Sequence, residues 1–289
     1  MDEQDSLQAR ITAAFPRISR SQKKLARFIL DNSLFVAFGS AAELGEKTGV
    51  SAATVVRFCQ TLGYEGYPEL QSAVRAGLPT YLHKVQQMEK GRKGRGALAK
   101  EETAARVFEL DLQNLKRTLD SLDQNRFKAA VAVLAAASDI LIVGAGLSSG
   151  PALYLAHSLK VMGLNVRYVL SSGIPLALEL ATLKPTSVLI AIGVWRYVTG
   201  TVLALERAQS VGATRIAITD SVVSPLAQRA DYAFQVATDG AAHALSLTST
   251  MSLVNTFIAA LSFKRPGKTA RALREVDAAY RQGKLLMME

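Results

Sequence analysis

The chain has 289 residues, 49% of them hydrophobic and 20% charged, with a net charge of +10, a size that allows two globular domains with separate cores. An uncharged apolar run of about 18 residues is missing, which excludes a membrane-spanning helix, and the polar, acidic opening MDEQDSLQAR is the reverse of a secretory leader. The single cysteine, Cys59, excludes an internal disulfide and a cysteine-rich zinc site; its position leaves inert packing and redox sensing open.

Helices are predicted over Ser6–Phe15 and Ser19–Asn32, parted by Pro16. Leu25, Phe28 and Ile29 give the second an apolar face. Arg17, Arg20, Lys23, Lys24 and Arg27 fall within eleven residues. Such a cluster can neutralise phosphates although residues 1–80 carry a net charge of only +1; the alternative is a solvated helix face.

Two short helices follow, over 40–48 and 51–62, each opened by a serine able to cap it, Ser40 and Ser51. Leu44 marks the buried side of the first. Val55, Phe58 and Leu62 make one stripe on the second. Gly49 stands between them, where the turn needs a residue that accepts positive φ, and Val50 follows as a plug. The pattern is a helix-turn-helix. Its outer face offers Ser51, Ala53, Thr54 and Arg57, a set able to enter a DNA major groove, with Arg20, Lys23, Lys24 and Lys47 placed to hold phosphates. A short helix beginning at Pro68 closes a domain at residues 1–78.

Residues 79–102 contain KGRKGRG, glycine-rich and basic, and read as a flexible linker that could also rest on a DNA backbone. From residue 103 to 289 the pattern changes. A long amphipathic helix starts at Thr103, with Val107, Leu110, Asn114 or Leu115, and Leu119, and another covers Arg126–Ala137. Then ILIVGAG, VRYVL, SVLIAIG, RIAIT and YAFQVAT read as strands. Helices at Ser148–Met162, Pro175–Thr182, Val202–Val211 and PLAQRA separate them, and a last helix spans about Ala244–Ser262. Five strands alternating with helices predict a parallel sheet covered on both faces, with right-handed crossovers.

In such a sheet ligands lie at the carboxyl ends of the strands. Gly144, Gly146, Ser148 and Ser149 occupy that place after the first strand, as an anion-binding glycine loop at a helix N-terminus. A glycine turn without a ligand is the alternative. Ser171 and Ser172 follow the second strand and are further candidate ligand hydroxyls. The second strand ends without an acidic residue, which argues against NAD, and no cofactor or metal is expected. His83, His157 and His243 are read as packed or solvent-facing; His243, with Ser246, Ser249 and Thr250, opens the last helix and is a weaker candidate to face a ligand.

The stretch AAELGEKTGVSAATVVRFCQTLGYEGYPELQ resembles the helix-turn-helix signature of RpiR/MurR-family transcriptional regulators, including VVRFCQTLG and YPEL. GAGLSSGPALYLAHSLKVMGLNV and GATRIAITDSVVSPLAQRADYAF resemble that family's SIS (sugar isomerase) domain. The resemblance implies a cytoplasmic bacterial regulator that binds double-stranded operator DNA. It implies assembly as a homodimer or tetramer, and a body that senses a small anionic metabolite, often a sugar phosphate. SIS domains commonly carry S-x-S-G-x-T after the third strand. Here Gly193–Val198 reads GVWRYV, an aromatic and cationic loop in which Arg196 can bind a phosphate or carboxylate and Trp195 or Tyr197 can stack or pack. Two alternatives remain: an aldose–ketose isomerase with Glu179 or Glu206 as base and a histidine assisting, and a body that only dimerises with its pocket closed by Trp195.

Overall fold

The computed structural model describes residues 7–78 and 103–287, so the segment read as a linker, with His83, lies outside the described residues. The chain divides into two compact units, Met1–Gly96 and Ala97–Glu289.

The first unit is all helical: α1 (Leu7–Ala14), α2 (Arg20–Asp31), α3 (Ser33–Phe38), α4 (Ala41–Thr48), α5 (Ala52–Thr61) and α6 (Tyr67–Gly77). The sequence pattern misses α3, because SLFVAF has neither a capping side chain nor a polar face. α6 holds it. Tyr67 Oη donates to the carbonyls of Val36 and Gly39 at 3.1 and 2.9 Å, Gln71 Nε2 donates to the same two, and Arg75 donates to Ala37 O at 3.1 Å. These donors satisfy carbonyls that a helix end leaves without partners. Leu25, Ile29, Val36, Leu44, Val55, Phe58 and Leu70 are fully buried and form the core.

The second unit begins with α7 (Thr103–Asp120) and α8 (Gln124–Ala136) and continues β1 (Asp139–Val143), α9 (Ser149–Val161), β2 (Val166–Val169), α10 (Ile174–Ala181), β3 (Ser187–Gly193), α11 (Thr199–Ser210), β4 (Thr214–Thr219), β5 (Tyr232–Gln235), α12 (Thr248–Lys264) and α13 (Pro266–Gly283). The five strands are all parallel, in the order β2-β1-β3-β4-β5. The two-residue period of the strands divides the core. Ile140, Ile142, Ile190, Ile192, Ile216 and Ile218 pack with α8, α9 and α12 on one face; Leu141, Val143, Leu189, Ala191 and Ala217 pack with α10 and α11 on the other. Among the described residues no helix is long and apolar enough to cross a membrane.

Three expectations are corrected. PLAQRA forms only a 3-10 turn at Ala227–Arg229, too short to be a helix. α12 starts at Thr248 rather than Ala244, because the chain before it bends at residues 241–244 and is tied to α7. Asn114 Nδ2 donates to Asp239 O at 2.8 Å, Ala237 N donates to Thr118 Oγ1 at 2.9 Å, and Ser246 Oγ donates to Asp111 Oδ1 at 2.5 Å. α13 is an additional helix: it is rich in charge, and only Thr269 and Ala272 of it are buried.

Candidate functional site

The first candidate site is built on α4, the turn and α5. Ser40 forms a capping box with Glu43: Glu43 N donates to Ser40 Oγ at 3.2 Å, and Ser40 N donates to Glu43 Oε2 at 2.7 Å. At the other end Gly49 has φ 72°. Gly49 N donates to Glu46 O and Val50 N to Gly45 O, the paired bonds that close a helix through a left-handed residue. A side chain at Gly49 would be strained. The chain then turns into α5, whose N-cap Ser51 accepts from Thr54 N at 3.2 Å.

Val55, Phe58 and Cys59 point into the core. Ser51, Ala53 and Arg57 are exposed and Thr54 half-buried. The Ser51 and Thr54 hydroxyls share a hydrogen bond of 2.9 Å, and Arg57 Nη2 donates to Thr54 Oγ1 at 3.4 Å. Three of the four candidate base-reading positions, Ser51, Thr54 and Arg57, are therefore connected, and Ala53 is exposed on the same helix. Ser51 spends its oxygen on the cap, so its part is to build the helix as well as to present a surface.

The cations of α2 divide. Lys23 Nζ and the Arg27 guanidinium lie over the Phe15 ring, 5.4 and 5.8 Å from its centroid. Arg20 and Lys24 are exposed, and Lys24 Nζ stands 3.6 Å from where a Cβ on Gly49 would lie, beside the turn that leads into α5. Lys47, exposed in the last turn of α4, also complements that helix's negative end. Burial pushes the Cys59 thiol up to about 11. A buried thiol held protonated is packing rather than a redox sensor.

The second candidate site lies at the carboxyl edge of the sheet, where β1 and β3 are neighbours and their crossovers leave in opposite directions. The glycines after β1 have different tasks. A Cβ on Gly144 would lie 2.7 Å from Ala152 Cβ and 2.8 Å from Ser148 O, so this glycine lets α9 close on the strand. Gly146 stands exposed in the loop, and Ser149 Oγ donates to its carbonyl at 2.7 Å. Ser148, the N-cap of α9, is 4% exposed and provides no side-chain cap. α9 has no acidic residue in its first turn.

The loop after β3 is anchored from β4. Trp195 N donates to Asp220 Oδ2 at 2.9 Å and Tyr197 Oη donates to Asp220 Oδ1 at 2.6 Å, while the Trp195 and Tyr197 rings meet edge-on with centroids 5.8 Å apart. Burial raises the Asp220 carboxyl above its ordinary value, and the bonds from Tyr197 and Trp195 pull part of the way back. Arg196 is exposed between the two rings' residues. Asp220 escapes a sequence reading: an acid after a strand is common, and only the fold brings it under this loop. Ser171 and Ser172 are exposed after β2. Ser172 lines a largely apolar cavity of about 510 Å³ between α10 and α11, with Leu176, Val198, Thr199 and Leu203.

The carboxylates weighed for isomerase chemistry are engaged elsewhere. Glu179 pairs with Arg167, which also binds Asp139 at the amino edge of β1, the far edge from the candidate site. Glu206 pairs with Arg229 at 2.7 Å. His157 and His243 are exposed, and among the described residues no group of three or more His, Cys, Asp or Glu could hold a metal ion.

Residues 6–80 match the family description "Helix-turn-helix domain, rpiR family", and residues 133–262 match "SIS domain". The sugar isomerase domain of the RpiR transcription factor from Sphaerobacter thermophilus is 36% identical, with a TM-score of 0.60 over 61% of this chain and 99% of that one. The Vibrio vulnificus NanR protein, solved with ManNAc-6P, has a TM-score of 0.64 over 96% of this chain and 98% of its own at 20% identity, a likeness of fold. The HTH-type transcriptional regulator YfhH of Escherichia coli is 29% identical over 252 residues, 83% of this chain and 85% of the relative. An HTH-type transcriptional regulator of Haemophilus influenzae is 27% identical over 231 residues, 77% of each.

Proposed function

The chain belongs to the RpiR family of helix-turn-helix transcriptional regulators with a SIS domain, and from that premise we propose that it reads a specific double-stranded operator in the bacterial cytoplasm through α5 and changes its operator affinity when the SIS domain binds a small anionic metabolite. The observation that carries the reading is the outer face Ser51-Ala53-Thr54-Arg57 on a helix fixed at its start by the Gly49 turn. Arg57 is the long donor of that face and suits a guanine edge. Arg20, Lys24 and Lys47 are the phosphate contacts, which position the head without reading sequence. Lys23 is the weaker phosphate candidate, since its ammonium already faces Phe15.

Titration of the protein with DNA from its own promoter, followed by fluorescence anisotropy, tests this. Arg57→Ala is expected to weaken specific binding by roughly 1–3 kcal/mol, about 5- to 150-fold, and to leave non-specific binding nearly unchanged. Absence of a specific complex, or an Arg57→Ala protein that binds like the native chain, refutes the reading.

The metabolite is expected at the carboxyl edge of the SIS sheet. Its anionic group meets the glycine loop that leads into α9 with Ser148 and Ser149, and Arg196 supplies a forked cation from the β3 loop. A sugar phosphate or a carboxylated sugar fits those donors, and NanR, a protein of the same fold, was solved with such a compound. The two-fold assembly that operator half-sites call for would use α7. Phe108, Leu112 and Leu119 on that helix are 71, 66 and 66% exposed, and with Leu115 they recur at spacings of four, three and four residues. That is the period of a helix that pairs with another helix.

A further inference from the structure

We infer that the second unit carries a separate oxyanion site at the amino edge of its sheet, where Arg265, Thr269 and the first turn of α13 take a phosphate group; this is independent of the metabolite reading above. The placement follows from how α9, α12 and α13 meet. α9 leaves the carboxyl end of β1 and finishes just before β2, so its last turn lies at the amino edge. Ser262 Oγ, near the end of α12, donates to Met162 Sδ at the end of α9, at 3.8 Å. Arg265 closes α12 and opens α13. A Cβ on Gly163 would lie 2.8 Å from Ala272 Cβ, so α13 rests on the turn that follows α9. Thr269 and Ala272, one helical turn apart, share the side of α13 that faces this turn. The length of α9, about 20 Å, separates the corner from Ser148 and Ser149.

The polar groups of this corner are incomplete within the chain. Nε and Nη1 of Arg265 and Oγ1 of Thr269 are buried and have no hydrogen-bond partner among the described residues, and Thr269 is 6% exposed. The elements that meet here bring no carboxylate. Residues 240–274 contain no Asp or Glu and include Lys264, Arg265, Lys268, Arg271 and Arg274. α9 has no acid either, and Lys160 stands in its last turn. The negative ends of α9 and α12 favour a cation at this point, yet they give Nε and Nη1 no bond. A buried guanidinium without a carboxylate is destabilising, and so is a buried hydroxyl without a partner. An anion from outside the chain supplies what both lack.

The donor set suits a phosphate group. Arg265 offers a fork, Thr269 a hydroxyl, and α13 its positive end; that helix has no side-chain cap and no acid in its first turn. Lys268, exposed in the same turn, adds an ammonium. Pro266 and Gly267 are exposed, and a Cβ on Gly267 would meet no heavy atom within 4 Å, so the approach is open. The phosphate group enters over Gly267, and the half-buried Arg265 turns its Nε–Nη1 edge onto it. Two sources carry this group, a small phosphate and the DNA backbone, and the test separates them.

The test uses the full-length chain with Ser148→Ala/Arg196→Met, which disables the carboxyl-edge site, and adds Arg265→Met or Thr269→Val to that background. The probes are inorganic phosphate, chloride at matched ionic strength, and a DNA duplex of unrelated sequence. Thermal unfolding and calorimetric titration follow phosphate, and anisotropy over a salt series follows the duplex. Without phosphate, each added substitution is expected to keep the Tm or raise it, because it removes an unsatisfied group. If the source is a small phosphate, phosphate stabilises the background chain more than chloride does, and Arg265→Met binds it at least about tenfold more weakly through the loss of a charge-assisted pair. If the source is DNA, Arg265→Met makes the slope of log K against log salt shallower by about 0.9, the share of one phosphate contact. A lower Tm on adding Arg265→Met or Thr269→Val without phosphate overturns the inference, since the groups would then serve the fold or hold a buried water. Phosphate that acts no better than chloride, together with an unchanged salt slope, overturns it as well. The background lacks the carboxyl-edge site, so failure of the metabolite reading leaves each of these outcomes in place.

Discussion

Asp220 holds the two residues that give the β3 loop its unusual character, taking the Trp195 amide and the Tyr197 hydroxyl on separate oxygens. Its carboxyl is raised by burial, and Tyr197, raised by burial and by the Asp220 charge, stays a donor throughout the neutral range. A carboxyl that binds its proton more tightly in the folded state than in the unfolded chain stabilises the fold most below its unfolded value of about 3.9. That contribution is lost as the pH rises through the raised folded value. Asp220→Asn removes the titration while keeping an oxygen for Trp195 N. The Tm difference between the native chain and Asp220→Asn is therefore expected to move in favour of the native chain as the pH is lowered from 7 toward the carboxylate range. Other carboxylates are common to both proteins and cancel. A difference that stays flat with pH refutes the assignment of a raised Asp220. The same scale explains Cys59. Its place on α5 leaves packing and redox sensing open, and full burial with a thiol pushed up to about 11 decides for packing.

At the scale of the element, the reading helix depends on local devices of known strength. Ser40 both accepts Glu43 N and donates to Glu43 Oε2, so Ser40→Ala removes the cap of α4 without touching α5. The expected cost is about 1 kcal/mol of stability in the first unit, which for a domain of this size lowers its Tm by roughly 4–8 °C. Ser40→Asn, another good cap, should recover most of the loss; equal losses for Ala and Asn would show that the cap is not what Ser40 supplies. Such devices are why α4 and α5 are legible in the sequence to within a residue or two. Ser40, Gly49 and Ser51 each act on neighbours three or four positions away. α3 is illegible for the opposite reason: its carbonyls are satisfied by Tyr67, Gln71 and Arg75, whose contacts span 28 to 38 positions. The site divides in the same way. Gly146, Ser148 and Ser149 can be placed from the alternation of strands and helices alone. Asp220 gains meaning only when β3 meets β4, and no local pattern announces that meeting.

At the scale of the whole molecule, the proposed two-fold assembly on operator half-sites would use α7. One side of the helix is committed within the unit: Asn114 and Thr118 are buried, and Asp111 holds the segment before α12. Phe108, Leu112 and Leu119 are left outward, with the half-buried Leu115 on the same stripe. Arg106 against Glu109 and Asp111 leaves the first half of α7 one charge negative, and Lys116 and Arg117 against Asp120 leave the second half one charge positive. A parallel pair would set like halves together. A two-fold antiparallel pair sets unlike halves together, with Phe108 on the partner's Leu119 and Leu112 on the partner's Leu115, and it is self-complementary as a closed dimer requires. Burying a leucine in such a seam contributes about 1.5–3 kcal/mol, and two-fold symmetry counts it twice. Leu112→Glu is therefore expected to weaken dimerisation by roughly 3–6 kcal/mol, a factor of 10² to 10⁴ in Kd, and to reduce operator affinity through the loss of paired half-sites. Analytical ultracentrifugation with the anisotropy titration reads both quantities. Leu203→Glu, an exposed apolar position on α11, should leave both unchanged. A Leu112→Glu protein that sediments as the native chain does removes α7 from the interface, and a Leu203→Glu protein that turns monomeric moves the interface to α11.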